Sequence, residues 1–465
     1  MSHRSIAVVL GVLFGLTALG SASTAVVAPS IADDLGLSTG GVAAIFVAFG
    51  IAFAAATPIY GRWADITGER GPLLVGILLM ATGSIVVAFA PGLPVLIAGR
   101  IVQGAGAGAI PALIPGVLRS RVPDSGQVVA LGVVAATVGV FSAIGPFLGG
   151  VAGSALGWRL AISLPVAGLL LVPLVYRLAS NSGNRTLRLD RVGATATVCA
   201  VTGLILLLQA PGLGRNLALV GGLLVVGSGL FWRSHQRTHG DGFTPDIIIR
   251  SRLFWLNALV GAALSAVYLS LLVAVPIRLA TEQSWSAIVI GAALLPAAAV
   301  GPLASTAGNR LANHYPAQAI AGAGVVAAGL GAAAAALTTT PAVQIVGFGA
   351  AILGVGLAQP VLIDRVGRGT DPSHLGVAIG LFNMLFFVGG AVGSALVGSF
   401  GVHGGSLIAA VIAVAAGITL AVAPQQPRPT MHPINRHGRR RYPLPQQHTA
   451  HTKKCSPVTN PPPRH

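Results

Sequence analysis

Fourteen stretches of this chain are apolar without interruption for about the length that crosses a bilayer, and that feature fixes the medium in which it folds. A helix spanning a hydrocarbon core of about 30 Å needs roughly 20 mostly apolar residues. Such runs fall at 5–28, 40–60, 71–90, 94–118, 127–155, 158–177, 192–211, 216–233, 253–279, 287–306, 318–337, 341–363, 375–398 and 404–423. The strands of a membrane barrel would alternate apolar and polar positions between aromatic girdles, whereas these runs are continuously apolar and aromatics are 5% of the chain. The spans are therefore expected to be helices. With 8% charged residues in 465, the chain also lacks the polar surface that would clothe a water-soluble globule of its size.

Arginine and lysine then orient the runs, because inner loops retain positive charge during insertion. With the N-terminus inside, 24 of the 28 basic residues fall in inner segments, Arg159, Arg215 and Arg278 fall outside, and Arg100 lies within a run. This predicts a multi-pass protein of the cell membrane with both termini in the cytoplasm. The net charge of +17 is thereby spread over inner loops and tail, which excludes it as a nucleic-acid signal. The first run, preceded by Arg4 and containing small residues at Ser21 to Ala25, imitates a secretory signal, but thirteen more follow and an uncleaved helix is expected. Cys199 and Cys455 have no metal or disulfide spacing, and no His, Asp or Ser cluster converges on either face. No catalytic residue, metal or cofactor is expected, and the chain does not read as an enzyme.

Two blocks of six runs, 1–178 and 253–423, flank a segment, 179–252, that carries two runs between basic loops. Weak repeats support a duplication: Trp63-Ala64-Asp65 recurs as Leu311-Ala312-Asn313, and Gly145 to Gly150 resembles Gly389 to Gly393. The expected architecture is all-α and polytopic, two pseudo-symmetric six-helix bundles plus two extra central helices. Such halves commonly carry a site between them. The tail, 424–465, holds ten Pro, five His and eight basic residues with no acid, and is expected to be disordered. It is either a contact for anionic lipid or simply a topogenic end. Glycine, 63 of 465, is about twice its usual share of roughly 7%, and spacings such as Gly104xxxGly108 let helices approach closely.

Three strings carry candidate mechanism. The loop GRWADITGERG contains Gly61, Asp65, Gly68 and Arg70, opposite charges at a helix junction that can pair or cap helix ends and so lock one conformation of a rocking bundle. Arg100 and Gln103 lie within the fourth run, where a guanidinium is costly unless it faces the bundle interior or snorkels to the interface. The fifth run carries Gly145, Pro146, Gly149 and Gly150, a proline bend flanked by residues that permit close packing. Polar positions that could line a cavity are Asn257, Ser265, Tyr268, Gln359 and Asn383, although each equally serves a helix-to-helix hydrogen bond.

Together these strings resemble the major facilitator superfamily, whose loop after the second helix runs Gly-x-Leu-Ala-Asp-Arg-x-Gly-Arg-Lys. Gly61, Ala64, Asp65 and Gly68 match, Arg70 stands for the last basic residue, and Glu69 inverts a charge. Arg100, Gln103 and Gly104 fit the superfamily's Arg-x-x-Gln-Gly string, which the resemblance links to proton coupling. Gly145 to Gly150 looks like the string that marks its exporters. The whole of 5–423 is similar to the fourteen-helix drug:proton antiporters, multidrug efflux permeases. In that family the first helix usually carries an aspartate and an asparagine where this chain has Gly20 and Ala25. All eleven acids here, Asp33, Asp34, Asp65, Glu69, Asp124, Asp190, Asp241, Asp246, Glu282, Asp364 and Asp371, fall in loops or at the ends of runs.

The resemblance implies a monomeric secondary transporter that exports small molecules by alternating access, linked to the proton gradient. A buried carboxylate is the usual partner of a cationic cargo, so the cargo expected here is neutral or anionic. Asp33 and Asp34 at the outer mouth are the remaining proton acceptors to consider, against a reading as solvated loop charges. An uncoupled facilitator, an importer and a sensor that binds without moving cargo remain alternatives.

Overall fold

The computed structural model describes residues 2–37, 39–184, 190–209, 215–239, 245–285, 287–311 and 314–423. The expected disorder of 424–465, Cys455, and the Ala312-Asn313 part of the repeat lie outside the described residues. Within them the chain is helical, with no strand assigned.

Helix α1 (His3–Leu35) is capped by the Ser2 hydroxyl, which accepts from the Ser5 amide, and stops at Gly36 in the left-handed conformation. It is followed by α2 (Thr39–Thr67), α3 (Arg70–Ala88), α4 (Leu93–Ala107) and α5 (Ala109–Arg121). Next come α6 (Gln127–Leu156), α7 (Trp158–Ser163), a 3-10 segment (Leu164–Leu171) and α8 (Val172–Leu178). The central pair is α9 (Arg191–Leu208) and α10 (Arg215–His239); Asp190 caps α9 by accepting from the amides of Val192 and Gly193. After a single turn, α11 (Asp246–Ile249), come α12 (Arg252–Gln283), α13 (Ala287–Leu311), α14 (Ala317–Leu337), α15 (Pro341–Arg368) and α16 (Leu375–Val422).

Among the described residues ten segments are long and apolar enough to cross a membrane, with α4 and α5 forming one and α7 through α8 another, and eleven if α6, bent by 42° between Ser142 and Phe147, is taken as one span. The shorter apolar helices Asn216–Trp232 and Val289–Gly301 fall on the eighth and tenth expected runs. Helix α16 joins two arms at Gly401, whose φ of 75° interrupts the helical backbone. The expected fourteen is reached only by counting these additions. The bend in α6 spans Gly145-Pro146, where proline removes an amide donor.

Residues 1–423 pack as one compact unit, and within it the helices before α9, termed here the first half, meet those from α12 onward, the other half, along two seams. One seam is α2 against α16, the other α6 against α13. Helix α9 lies over the first seam, touching both α2 and α16, with α10 packed on its outer side. Glycines also set a close crossing of α6 on α1 inside the first half. A Cβ on Gly145 would lie 2.6 Å from that of Ala22, and one on Gly149 2.6 Å from the Cα of Ser23, so the exporter-like string packs α6 onto α1. The opposite side of the same helix meets α13 of the other half.

Candidate functional site: a gate between the two halves

The turns at residues 61–70, 119–127 and 369–374 lie at one end of the bundle, and there the halves are bolted together. Asp65, in the last turn of α2, accepts from the amide of Gly376 (Oδ1, 2.7 Å) and of Val377 (Oδ2, 3.0 Å). These are the free amides at the N-terminus of α16, where unpaired N–H groups and the helix dipole favour an anion. The contact needs bare backbones on both sides. A Cβ on Gly61 would sit 2.0 Å from the Gly376 carbonyl oxygen, and one on Gly376 2.2 Å from that of Gly61. One turn deeper, Thr57 donates to the Gly380 carbonyl at 3.0 Å. Further in, Phe53 and Phe387 meet edge to face with centroids 4.4 Å apart.

A matching contact of opposite sign grips the other helix of the same hairpin. Arg119, at the end of α5, donates from Nη1 to the Gly367 carbonyl, 3.2 Å, among the last carbonyls of α15. The N-terminal half thus places a carboxylate on the N-terminus of α16 and a guanidinium on the C-terminus of α15. Between them the Arg62 Nη1 lies 3.1 Å from Nδ1 of His374. Asn383 donates to the Pro111 carbonyl at 3.1 Å, a further bond across the halves. Gly367 is tight: a Cβ there would lie 2.0 Å from Arg119 Nη2. The Gly367→Ala variant is expected to displace the guanidinium and weaken closure by roughly tenfold or more, at about 1.5–3 kcal/mol for a charged hydrogen bond. Protection of a cysteine placed in this seam from a water-soluble maleimide measures it.

Asp65 and Arg70, expected to pair or to cap helix ends, cap different helices. Arg70 donates from Nε to the Ala179 carbonyl at 3.1 Å and lies over the Tyr176 ring at 4.6 Å, closing the end of α8 within its own half. Arg121 does the same at the carbonyls of Leu178 and Arg177, 2.9 and 3.1 Å. Gly68, at φ 86°, turns the chain so tightly that a Cβ would meet the Asn181 backbone at 2.6 Å. Glu69, the inverted charge, accepts from the Ser180 hydroxyl at 2.7 Å.

Buried arginines rivet each half internally. Arg100 is 1% exposed, which removes the snorkelling alternative. Its Nη1 donates to Gln103 Oε1 at 2.6 Å, its Nε to the Ile45 carbonyl at 3.4 Å, and its guanidinium lies 4.3 Å from the Phe49 ring centre. Gln103 passes the network to Ser84 at 2.8 Å and to the Ile162 carbonyl at 3.2 Å, so α2, α3, α4 and α7 converge on it. In the other half Arg365, at the gate end, donates to Asn257 Oδ1 at 3.0 Å and to Gln318 Oε1 at 2.5 Å. Arg278, at the far end, donates from Nε to Glu282 at 2.8 Å and to the carbonyls of Ala335 and Thr338. Arg278, counted by sequence among the outer basic residues, is 2% exposed near the end of α12, which runs on to Gln283. Two acids placed at run ends are likewise held within the protein: Asp364 is 8% exposed and Asp65 half-buried.

The cavity candidates separate. Asn257, Ser265 and Asn383 are buried, Asn257 and Asn383 in the helix contacts already given and Ser265 facing Gly390. Tyr268 and Gln359 are half-buried; Tyr268 stacks on Phe348 with centroids 6.3 Å apart, and its hydroxyl faces Ser142 of the opposite half. At the far end Asp33 is exposed. Asp34 accepts from Trp158 Nε1 at 3.0 Å and pairs with Arg159 at 2.9 Å. The indole and then the guanidinium hold its carboxyl below the usual carboxylate range. A depressed value keeps that contact intact above the ordinary carboxyl value of about 4 and loses it only as pH falls through the lower folded value. Asp34→Asn is therefore expected to leave the pH profile of transport between pH 5 and 8 in place; a shifted profile would make Asp34 a working proton acceptor.

Sequence reasoning missed Arg119, Gly367, His374 and Gly376, because their partners are largely backbone atoms. It noted the missing acid at Gly20, and the structure supplies a reason. A Cβ there would lie 2.4 Å from Cγ of Pro165, so position 20 packs against a neighbouring helix and leaves no room for a carboxylate.

A family model described as Major Facilitator Superfamily matches residues 10–394. The protein named "Probable actinorhodin transporter" of Streptomyces coelicolor is 27% identical over 438 residues, 86% of this chain and 74% of that protein. The aspyridones efflux protein of Neocamarosporium betae is 30% identical over 270 residues, 54% of this chain. The chain spans about half or less of the length of some relatives it matches, 47% of that protein and 35% of the MFS-type transporter pydD of Acremonium sp. Among solved structures, the human organic anion transporter MFSD10 (TETRAN) superposes with a TM-score of 0.64 at 16% identity, covering 90% of this chain and 99% of that one.

Proposed function

The chain belongs to the Major Facilitator Superfamily, and from that premise we propose that it exports small molecules from the cytoplasm by proton-linked alternating access. The observation that carries the reading is Asp65, a carboxylate of one half seated on the N-terminus of a helix of the other. A contact of this kind is made when one end is shut and broken when it opens, and it belongs to a bundle that rocks rather than to a rigid pore. The loop charges make the bolted end cytoplasmic, with both termini on that side of the cell membrane. The state described is then closed to the cytoplasm. Fourteen spans, with α9 and α10 outside two six-helix halves, complete the arrangement, and a monomer suffices for it.

The cargo proposed is neutral or anionic and of natural-product size. The support is a buried guanidinium of the first half, Arg100, whose described partners include no carboxylate, together with relatives named for aspyridones and actinorhodin. Arg100 is the coupling residue in this reading. Its fixed charge depends on Gln103 and the Phe49 face, so displacing it when cargo or a proton arrives would reshape four helices together.

Replacing Arg100 with Ala is expected to abolish efflux, while the variant still elutes as a folded, monodisperse protein. Cells preloaded with a panel of lipophilic acids and neutral compounds would lose them faster with the wild type than with the variant. Near-normal efflux by Arg100→Ala would end its coupling role. Efflux unaffected by collapse of the proton gradient would favour an uncoupled facilitator.

A further inference from the structure

The two seams between the halves are not equivalent towards the membrane. Over the α2–α16 seam lies α9, whose Val201 and Ile205 are 4% exposed and part of the main core. Gln209, just past its end, donates to the Ser394 hydroxyl of α16 at 3.4 Å. Helix α10 backs α9 through a glycine crossing, where a Cβ on Gly203 would lie 2.6 Å from the Gly221 carbonyl oxygen. The outward face of α10 is apolar, with Leu223 74% and Leu230 67% exposed, as suits lipid contact. The pair is therefore a two-layer cover, and an apolar molecule in the bilayer meets α10 rather than the seam.

The α6–α13 seam is built differently. Among the described residues no helix outside the two halves packs on it. Helix α6 is bent by 42° between Ser142 and Phe147, and α13 carries Pro296 in its interior. A proline deletes an intrahelical hydrogen bond and lowers the cost of flexing at that level. Its interior holds half-buried groups of both halves, Ser142 of α6 facing Tyr268 of α12.

We propose that α9 seals the α2–α16 seam against the bilayer, and that the α6–α13 seam is the side door through which a membrane-dissolved amphiphile reaches the space between the halves. The occupant is a molecule with an apolar body that partitions into acyl chains and a neutral or anionic polar group. Each methylene of an apolar body favours the membrane over water, so such a cargo is concentrated in lipid and depleted in water. A lateral route draws on that store, whereas a route from water alone does not. The direction of travel rests on the exporter reading; the door itself does not.

The test uses full-length protein with Cys199 and Cys455 changed to Ser, carrying one new cysteine at either Ser142→Cys or Ser394→Cys. Each is labelled with bimane and reconstituted into phosphatidylcholine vesicles containing a chain-labelled doxyl lipid quencher. Both are partly buried serines at a seam, one at the proposed door and one beneath α9. Quenching by the lipid-borne nitroxide is expected to be at least about threefold stronger at 142. Val226→Cys, on the exposed face of α10, gives the full-quenching reference, and retained gel-filtration behaviour shows that each variant is folded. Equal quenching at 142 and 394, or stronger quenching at 394, would overturn the proposal. No cargo is present, so absence of export in cells would count against the exporter reading and leave this ratio standing.

Discussion

Gly61→Leu is expected to reduce transport at least about a hundredfold while leaving each half folded. The Gly61 Cβ position is 2.0 Å from a carbonyl oxygen and 3.1 Å from the next amide nitrogen, both backbone atoms of α16 that cannot swing aside. The helices must part, and in parting they lose the two amide contacts of Asp65 and lengthen the Thr57 bond. Overpacking alone costs about 1–3 kcal/mol, and loss of a charge-assisted hydrogen-bonded contact about 1.5–3 kcal/mol more. A bundle that cannot shut its cytoplasmic end cannot complete a cycle. Uptake into inverted vesicles reads the effect, and Gly61→Ala should lie between wild type and Leu. Full activity of the Leu variant would mean that this approach is not needed for turnover.

Asp65→Asn is expected to shift the resting state from closed towards open at the cytoplasmic end by roughly ten- to a hundredfold, the effect of about 1.5–3 kcal/mol. The amide keeps the shape of the carboxylate but can present only one oxygen, turning its NH2 towards an amide that is itself a donor. The charge that complements the start of α16 is lost as well. Labelling of a seam cysteine by a membrane-impermeant maleimide from the cytoplasmic side should accelerate in proportion. Asp65→Glu, which keeps the charge on a longer stem, should recover part of the closed state. An unchanged labelling rate in Asp65→Asn would remove the carboxylate from the gate.

The fold was legible because lipid makes demands that composition alone can meet. Each span must bury its own backbone polar groups, so a run of apolar residues between charges is already a helix. Among the described residues the expected runs fall on helical segments, the sixth partly on a 3-10 stretch, and α1 and α12 depart from them at their ends. Helix α1 continues past the run ending at 28 to Leu35, and α12 passes 279 to reach Gln283. Those extra turns carry polar residues, Asp33, Asp34 and Glu282 among them, which a count of apolar residues places beyond the run.

The site was legible only where a side chain does the recognising. Asp65 stood out as a charge beside glycines, and Arg100 as a charge in an apolar helix. Their partners did not, since Gly376 and Val377 contribute amides, Gly367 a carbonyl and Ile45 a carbonyl, and any residue offers those. Arg119 counted in the sequence only towards orientation, whereas it holds the end of α15. The absent acid at Gly20 was visible, but its cause, Pro165 lodged where a side chain would go, lies 145 positions away along the chain.

Proton-linked export is tested most directly by accumulation of neutral, anionic and cationic lipophilic compounds in inverted vesicles, with and without an imposed proton gradient. The account predicts gradient-driven accumulation of neutral or anionic members of the panel, lost in Arg100→Ala and in Gly61→Leu. Accumulation that ignores the gradient, or that is confined to cations, would contradict it.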